Sequence, residues 1–134
     1  MLVYVLSRNE NLYSTRRLVE AAQQRGWEVE VIDFLKCSIE IMKGELYINY
    51  RGKSLPKPDA IIPRIGASRT FYGTAIVRHF EVMDVFSTSG SLAINRSRDK
   101  LRSLQVLSKR GVDMPKTVFA SNKSSAKDVI ALSG

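Results

Sequence analysis

The first 33 residues contain two short apolar segments separated by an amphipathic one, and this pattern limits the fold more than any other feature. Leu2–Leu6 is a short apolar run bounded by polar residues, which predicts a buried strand. A helix capped by Asn11 or Ser14 is expected to run to about Arg25 and to end at Gly26. The run WEVEVIDF alternates and is rich in β-branched residues, so it is predicted to be a second strand. Strand, helix and strand at this spacing form a parallel, right-handed βαβ unit.

Further strands are predicted between residues 37 and 63. The run CSIEIMKGELYINYRGK has alternating segments on both sides of Lys43 and Gly44, which predicts a β-hairpin. The prolines of LPKPDAIIPRIG exclude a helix, and residues 60–62 are expected to form a short buried strand ending at Pro63. The predicted fold class is therefore α/β: an open, mostly parallel sheet flanked by helices, with a β-hairpin.

The segment that follows is predicted to return to helix and then to a last short strand. Apolar side chains recur at helical spacing between residues 68 and 84, at Phe71, Ala75, Ile76, Phe80 and Met83. VFSTS (residues 85–89) is expected to be a short strand, and SLAINRS (residues 91–97) a short helix or turn.

A change in composition at STSGS marks a domain boundary, which we predict between residues 94 and 95. Ser97 is expected to cap a helix that reaches Arg110 and ends at Gly111. KTVFAS (residues 116–121) is predicted to be a strand, and a last helix is expected to start at Ser124 or Ser125. One strand and two helices cannot bury a core, so residues 95–134 are expected to be only the start of a domain.

The composition limits the partners without naming one. A net charge of +8 suggests an anionic partner, which could be nucleic acid, a phosphorylated cofactor or an acidic peptide. No apolar run approaches the ~20 residues of a membrane span, so no membrane association is expected. The one cysteine and the absence of an export signal favour the cytoplasm.

The loop PRIGASRTFYG is the strongest candidate binding site. It follows a predicted strand, and open α/β sheets bind ligands at the carboxyl ends of their strands. Arg64 and Arg69 could hold a carboxylate or phosphate in a bidentate manner. Gly66, Ser68 and Thr70 surround them at the start of a predicted helix, whose N–H groups favour anions. A solvated basic loop with no ligand is the alternative.

Other types of site have little support. The loop after the first strand lacks the glycines of a dinucleotide site. A zinc site needs several ligands, and His79 and Cys37 are the only residues of their kinds, so no metal site is predicted. Cys37 is expected to be inert. The basic residues around Lys100 lie on two helix faces and no nucleic-acid motif accompanies them, so direct DNA binding is not expected.

Three stretches together resemble one known family, and the similarity extends over the whole chain. They are LSRNENLYSTRRLVEAAQQRGWEVEVID, KPDAIIPRIGASRTFYGTAIVRHFE and SRDKLRSLQVLSKRGVDMPKT. The chain resembles the N-terminal part of the RimK-type ATP-grasp ligases, the ribosomal-protein glutamate ligase family. The resemblance implies a Rossmann-like pre-ATP-grasp domain over residues 1–94 and the first elements of an ATP-grasp domain over 95–134. It also implies a fragment without ligase activity of its own.

The resemblance carries expectations about chemistry. Such enzymes use ATP and magnesium to convert a carboxylate into an acyl phosphate, which an amine attacks. The acceptor is the C-terminus of a small-subunit ribosomal protein, the added group is glutamate, and the parent enzymes form homo-oligomers. Lys100 matches an early lysine that approaches the nucleotide. No catalytic or metal-binding residue is expected in this chain, because ATP and magnesium are bound mainly by later residues.

Arg64, Gly66, Ser68 and Tyr72 are the residues expected to contact the acceptor or glutamate, and this assignment rests on the position of their loop. Two alternatives to the main function stay open. One is a ligase of the same fold with another acceptor, an amino-acid carrier protein or a small molecule. The other is a basic module that binds RNA or an acidic protein tail, which the charge alone would allow.

Overall fold

A four-stranded parallel sheet forms the centre of the first of two units in this chain. The computed structural model describes residues 1–120 and 126–133, and it divides the chain into Met1–Arg98 and Asp99–Gly134. The elements of the first unit are β1 (Leu2–Leu6), α1 (Tyr13–Gln23), β2 (Glu28–Ile32), β3 (Cys37–Met42), β4 (Glu45–Tyr50), β5 (Lys53–Ser54), β6 (Ala60–Pro63), α2 (Thr70–Val82), β7 (Phe86–Ser87) and α3 (Ser91–Arg98). The parallel sheet has the strand order β2-β1-β6-β7.

β1 is apolar along its length because it is buried on both faces. It pairs in parallel with β2 on one side and with β6 on the other, where Val5 lies opposite Val31 and Ile62. Burial on both faces removes the polar alternation seen in half-exposed strands. The core around β1 includes Tyr4, Leu6, Ile32, Ile61 and Phe80. The predicted parallel α/β sheet is confirmed.

α1 ends as predicted, but it begins differently. Gly26 adopts a φ of +71°, a left-handed conformation that glycine tolerates, and Trp27 N donates to Ala22 O at 3.1 Å across this turn. The predicted caps Asn11 and Ser14 are wrong, because Leu12 occupies the cap position and no side chain caps the helix. The Ser14 hydroxyl accepts a hydrogen bond from Arg64 instead.

The predicted β-hairpin is confirmed, and a third strand extends it. Met42 pairs with Glu45 across a two-residue turn in which Gly44 has a φ of +78°. β5 pairs with β4 after a second turn, and the sequence did not predict it since two polar residues carry no strand pattern. The three strands form a separate antiparallel sheet with the order β3-β4-β5.

α2 covers the sheet with only part of its predicted apolar face. Its buried side contains Ile76 and Phe80, and residues 67–69 before it form a short 3-10 turn. Phe71 was predicted on the same face, but its side chain is 85% exposed. Phe71 precedes Phe80 by about two and a half helical turns, which places it on the opposite side of the helix.

His79 on α2 is a buried histidine without a full set of partners. Its ring hydrogen-bonds with the Tyr47 backbone, while Nε2 has no partner among the described residues. Burial lowers the pKa of His79 below 6.5, and the Tyr47 hydrogen bond opposes that shift. A protonated ring would carry a second N–H, at Nε2, that has no acceptor among the described residues, so burial disfavours the charged form.

We therefore expect the protein to lose stability in mild acid. As the pH falls, His79 of the unfolded chain binds a proton near its ordinary pKa of about 6.5, whereas His79 of the folded chain does so only at lower pH. The free energy of unfolding therefore has its full value above about pH 6.5 and decreases as the pH falls below it. Urea unfolding at pH 7.5 and 5.5 measures the change, in a range where exposed carboxylates stay ionised. A His79→Asn variant should show a smaller pH dependence, and an equal dependence would contradict the assignment to His79.

The second unit, Asp99–Gly134, contains α4 (Lys100–Lys109) and α5 (Ala126–Ser133). Gly111 follows α4 with a φ of +71°, as predicted for a helix end. The predicted strand over 116–121 is wrong for residues 116–120, since the described part of this unit offers no strand to pair with. Residue 121 and the predicted caps Ser124 and Ser125 lie outside the described residues.

The predicted cap Ser97 is also wrong. α3 continues through Arg98, and Ser97 Oγ donates to Ile94 O at 2.9 Å within that helix. Asp99 caps α4 instead, where its carboxylate accepts from Arg102 N at 2.9 Å. The carboxylate also complements the positive end of the helix dipole, which a hydroxyl does not.

This correction can be tested with a matched pair of variants. Asp99→Ala should destabilise α4 by about 1 kcal/mol, because one helix N–H loses its acceptor. The amides of α4 should then lose protection from hydrogen exchange by about five-fold. Ser97→Ala should leave the protection of α4 unchanged. Equal losses in the two variants would show that Asp99 is not the cap.

No described residue of the second unit is buried. Leu101 and Leu104 on α4 line an open groove of about 550 Å³ together with Met114 and Phe119. In the part of the chain that the structure describes, no helix is long and apolar enough to cross a membrane.

Candidate functional site

A cleft of about 510 Å³ lies at the carboxyl ends of β1 and β6. Parallel strands end at the same edge of a sheet, so the residues that follow them meet there. Ser7 and Arg8 follow β1, while Arg64, Ile65 and Gly66 follow β6, and α3 forms another side. The lining residues are Ser7, Arg8, Leu12, Pro63, Arg64, Ile65, Gly66, Ser89, Ile94, Ser97 and Arg98.

The charge of this cleft is entirely positive. Arg8, Arg64 and Arg98 line it, and no lining residue is acidic. Arg64 Nη2 donates to Ser14 Oγ at 2.9 Å, and Arg98 Nη2 donates to Ile65 O at 2.6 Å. A guanidinium has several further N–H donors in a fork that matches carboxylate and phosphate. The cleft can therefore bind an anion.

The loop between β1 and α1 is held by its own polar side chains. Ser7 Oγ lies 3.0 Å from Thr15 Oγ1 in a buried contact, and it accepts from Asn9 N at 3.4 Å. Asn9 Oδ1 in turn accepts from Asn11 N at 2.9 Å. The Ser14 hydroxyl, which was predicted as a cap of α1, instead accepts the hydrogen bond from Arg64.

α3 is attached to the rest of the unit by one polar face. Ser91 donates from N and from Oγ to the Glu81 carboxylate, at 2.8 and 2.6 Å. One turn later, Asn95 Oδ1 lies 3.2 Å from Thr74 Oγ1. Arg98 follows on the same face of the helix, because residues spaced by three or four align. These contacts fix the position of the α3 side of the cleft.

The structure brings only some of the predicted binding residues together. Arg64 and Gly66 line the cleft. Ser68 is exposed in the 3-10 turn and does not line it, and the Tyr72 hydroxyl donates to Cys37 O at 2.7 Å, tying α2 to β3. Lys100 is the first residue of α4 in the second unit. It is exposed, and its side chain has no hydrogen bond or ion pair with another described residue.

Several lining residues were not predicted. Ser7 and Arg8 directly follow a strand, so the carboxyl-end rule, applied to β1 as it was to β6, would have found them. Arg98 was assigned to the start of the next helix, but it ends α3. No local pattern pairs Arg98 with Ile65, which lies 33 positions earlier.

Two other chemistries are not supported by these side chains. Burial, with a further contribution from Asp33, raises the pKa of the Cys37 thiol to about 12, so this residue is not a thiolate nucleophile. Among the described residues, no three His, Cys, Asp or Glu side chains are grouped so as to hold a metal ion. The described residues thus form no cage of protein ligands, whereas magnesium bound with a nucleotide is held by one or two carboxylates together with phosphate oxygens.

Comparison with known families identifies the domain to which this cleft belongs. The sequence profile described as the RimK PreATP-grasp domain matches residues 1–94. This chain belongs to the RimK pre-ATP-grasp family. The predicted domain boundaries, 1–94 and 95–134, stay a prediction.

A curated relative gives the family a named member. The probable alpha-L-glutamate ligase of Shewanella loihica is 56% identical over 130 residues, which cover 97% of this chain and 43% of the relative. The chain thus spans less than half the length of the curated relatives it matches.

Solved structures show the same architecture at low sequence identity. The macrocyclase MdnB from Microcystis aeruginosa matches with a TM-score of 0.71 and 16% identity, over 98% of this chain and 58% of that one. The ATP-grasp ligase PsnB, complexed with a variant of its minimal precursor, Mg and ADP, matches with a TM-score of 0.64 and 15% identity. That match covers 97% of this chain and 50% of PsnB. At this identity the likeness concerns the fold.

Proposed function

We propose that this chain is the N-terminal part of an ATP-dependent ligase that joins glutamate to the carboxyl group of an acceptor through an amide bond. The 56% identity to a probable alpha-L-glutamate ligase, over nearly the whole chain, is the observation that supports this most strongly. A cleft lined by arginines at the strand ends agrees with it, since glutamate and a C-terminal acceptor are both carboxylates.

The acceptor we propose is the C-terminus of a small-subunit ribosomal protein, and the parent enzyme is a cytoplasmic homo-oligomer. Arg64 and Gly66 would contact a substrate carboxylate, because they line the cleft at the end of β6. Ser68 and Tyr72 follow in the same segment, and we propose that they contact the acceptor beyond the cleft. The Tyr72 hydroxyl would have to exchange its bond to Cys37 O for such a contact.

ATP, when bound with magnesium, supplies the phosphoryl group that activates the acceptor carboxylate as an acyl phosphate. Lys100 is suited to contact the phosphates, because its ammonium is exposed and has no described partner. Among the described residues no three acidic, histidine or cysteine side chains are grouped to hold a metal ion, and we propose that ATP and magnesium are bound mainly by other parts of the parent protein.

The test uses the chain extended to the full length of its relatives. It is incubated with ATP, magnesium, glutamate and purified small-subunit ribosomal proteins, and the products are weighed by mass spectrometry. Mass increases equal to whole glutamate residues on one protein are expected. Lys100→Ala should abolish them, whereas Lys109→Ala, a matched loss of charge at the other end of α4, should not.

Other results would change the proposal in defined ways. Consumption of ATP without a mass increase would discard the ribosomal acceptor and favour an amino-acid carrier protein or a small molecule. Neither ATP consumption nor a mass change would overturn the ligase and favour a basic module for RNA or an acidic tail, whose affinity should fall steeply with salt.

A further inference from the structure

We infer that Arg98 determines specificity for a dicarboxylate: it binds the second carboxylate of glutamate, while Arg64 binds the first. This inference rests on the proposed function and adds the residue that distinguishes glutamate from glutamine. In an amide-forming step the amine of the incoming glutamate attacks the activated acceptor. Both carboxylates of that glutamate stay free, so its site must bind two anionic groups.

Both guanidinium groups are held by hydrogen bonds to residues at the cleft, one through α1 and the other through the loop after β6. Arg64 is the first residue after β6, and its side chain is held by Ser14. Arg98 approaches from α3 and donates to the carbonyl of Ile65, the residue next to Arg64 in the chain, at 2.6 Å. Each group uses one N–H in these contacts and keeps others for a ligand.

Arg98 is an exposed arginine whose side chain is held by a backbone carbonyl. Both ends of α3 are attached: Ser91 is bonded to the Glu81 carboxylate, and Arg98 itself to Ile65 O. Part of the ordering of the Arg98 side chain is therefore completed before a ligand binds, which favours affinity. Arg96, on the same helix, is exposed like Arg98 but does not line the cleft, so it provides a control of equal charge.

The lack of acidic side chains in the cleft suits the same ligand. An amine must lose its proton before it attacks, and a carboxylate nearby would stabilise the ammonium form. An adjoining cleft that shares Ser7 and Arg8 is different, because it contains Glu10 and an Asp33–Lys36 ion pair at 3.4 Å. The cleft whose charged lining residues are all arginines is therefore the better site for a dianion.

Binding can be tested on this chain with simple probes. Glutarate presents two carboxylates at the spacing found in glutamate, and butyrate presents one. NMR of the arginine Nε–H groups should show shifts of both Arg64 and Arg98 with glutarate. With butyrate, Arg98 should not shift. Arg98→Gln should weaken glutarate binding by about 10- to 100-fold, the effect of losing a charged hydrogen-bond partner, and Arg96→Gln should not.

Specificity is tested on the full-length protein. Arg98→Gln should raise the KM for glutamate with little change in kcat, and should lower the preference for glutamate over glutamine. Arg98→Lys should recover part of the preference, since it keeps the charge but not the fork. Unfolding midpoints of the variants, measured in parallel, show whether they are folded.

The outcomes separate this inference from the function on which it rests. If the wild-type protein adds glutamate but Arg98→Gln and Arg96→Gln have equal preferences, Arg98 is not the determinant and the ligase stands. If Arg98 does not respond to glutarate in the wild-type chain, the inference is overturned whether or not the variants fold. If the wild-type protein adds no glutamate at all, the proposed function fails.

Discussion

Replacing Phe80 with alanine is expected to lower the free energy of unfolding by about 3–5 kcal/mol, the usual cost of truncating a buried phenylalanine. The Phe80 side chain is 1% exposed and lies between α2 and the sheet, with its ring centroid 6.3 Å from that of Tyr4. Its removal leaves a cavity beside the central strand, which the surrounding close-packed side chains can fill only in part. Most small domains are stable by only about 5–15 kcal/mol, so the variant should be close to unfolding.

The control for this variant lies on the same helix. Phe71→Ala removes an identical side chain from a position that is 85% exposed, so it should change the free energy of unfolding by less than about 0.5 kcal/mol. Urea unfolding followed by circular dichroism measures both. Similar losses in the two variants would contradict the placement of Phe80 on the buried side of α2 and Phe71 on its exposed side.

Replacing Gly73 with valine is expected to destabilise the protein by about 1–3 kcal/mol, as overpacked core positions do. A Cβ at this position would clash with Ile65 Cγ2, and Ile65 is itself buried. Ile65 would have to move, and its carbonyl holds Arg98 in the cleft. The variant should therefore weaken glutarate binding as well as the fold.

Gly66→Ala is the matched control for this second variant. A Cβ on Gly66 meets no atom within 4 Å, and the φ of −74° is one that alanine adopts readily. Its free energy of unfolding should stay the same or rise slightly, because alanine restricts the unfolded chain. Thermal unfolding gives the comparison, and a larger loss at Gly66 than at Gly73 would contradict the close packing of α2 against Ile65.

Part of the candidate site could be predicted because it follows from local order. Arg64 and Gly66 come directly after a recognisable strand, and strand ends are where this class of sheet binds ligands. Arg98 could not be predicted, because its role depends on a contact with Ile65 that no spacing in the sequence reveals. Glu81 likewise resembles any surface acid of a helix, yet it holds the start of α3.

The sequence by itself determined the elements whose signals are local. Three predictions are confirmed because each depends only on residues adjacent in sequence. They are the apolar strand β1, the glycine that ends α1, and the turn at Lys43 and Gly44. The family could also be recognised from the sequence, because the chain is 56% identical to a curated relative and keeps the motifs of the family.

Tertiary structure alone decided which groups meet. Ser97 and Asp99 could both cap a helix. Contacts with α2 hold α3 in a helix that includes Ser97, so Asp99 is the residue that caps α4. Residues 116–120 have a strand-like pattern but form no strand, because a strand requires a partner that the described part of their unit does not contain. The cleft has the same origin: its arginines lie far apart in the chain, and the parallel order of β1 and β6, with α3 packed on α2, brings them together.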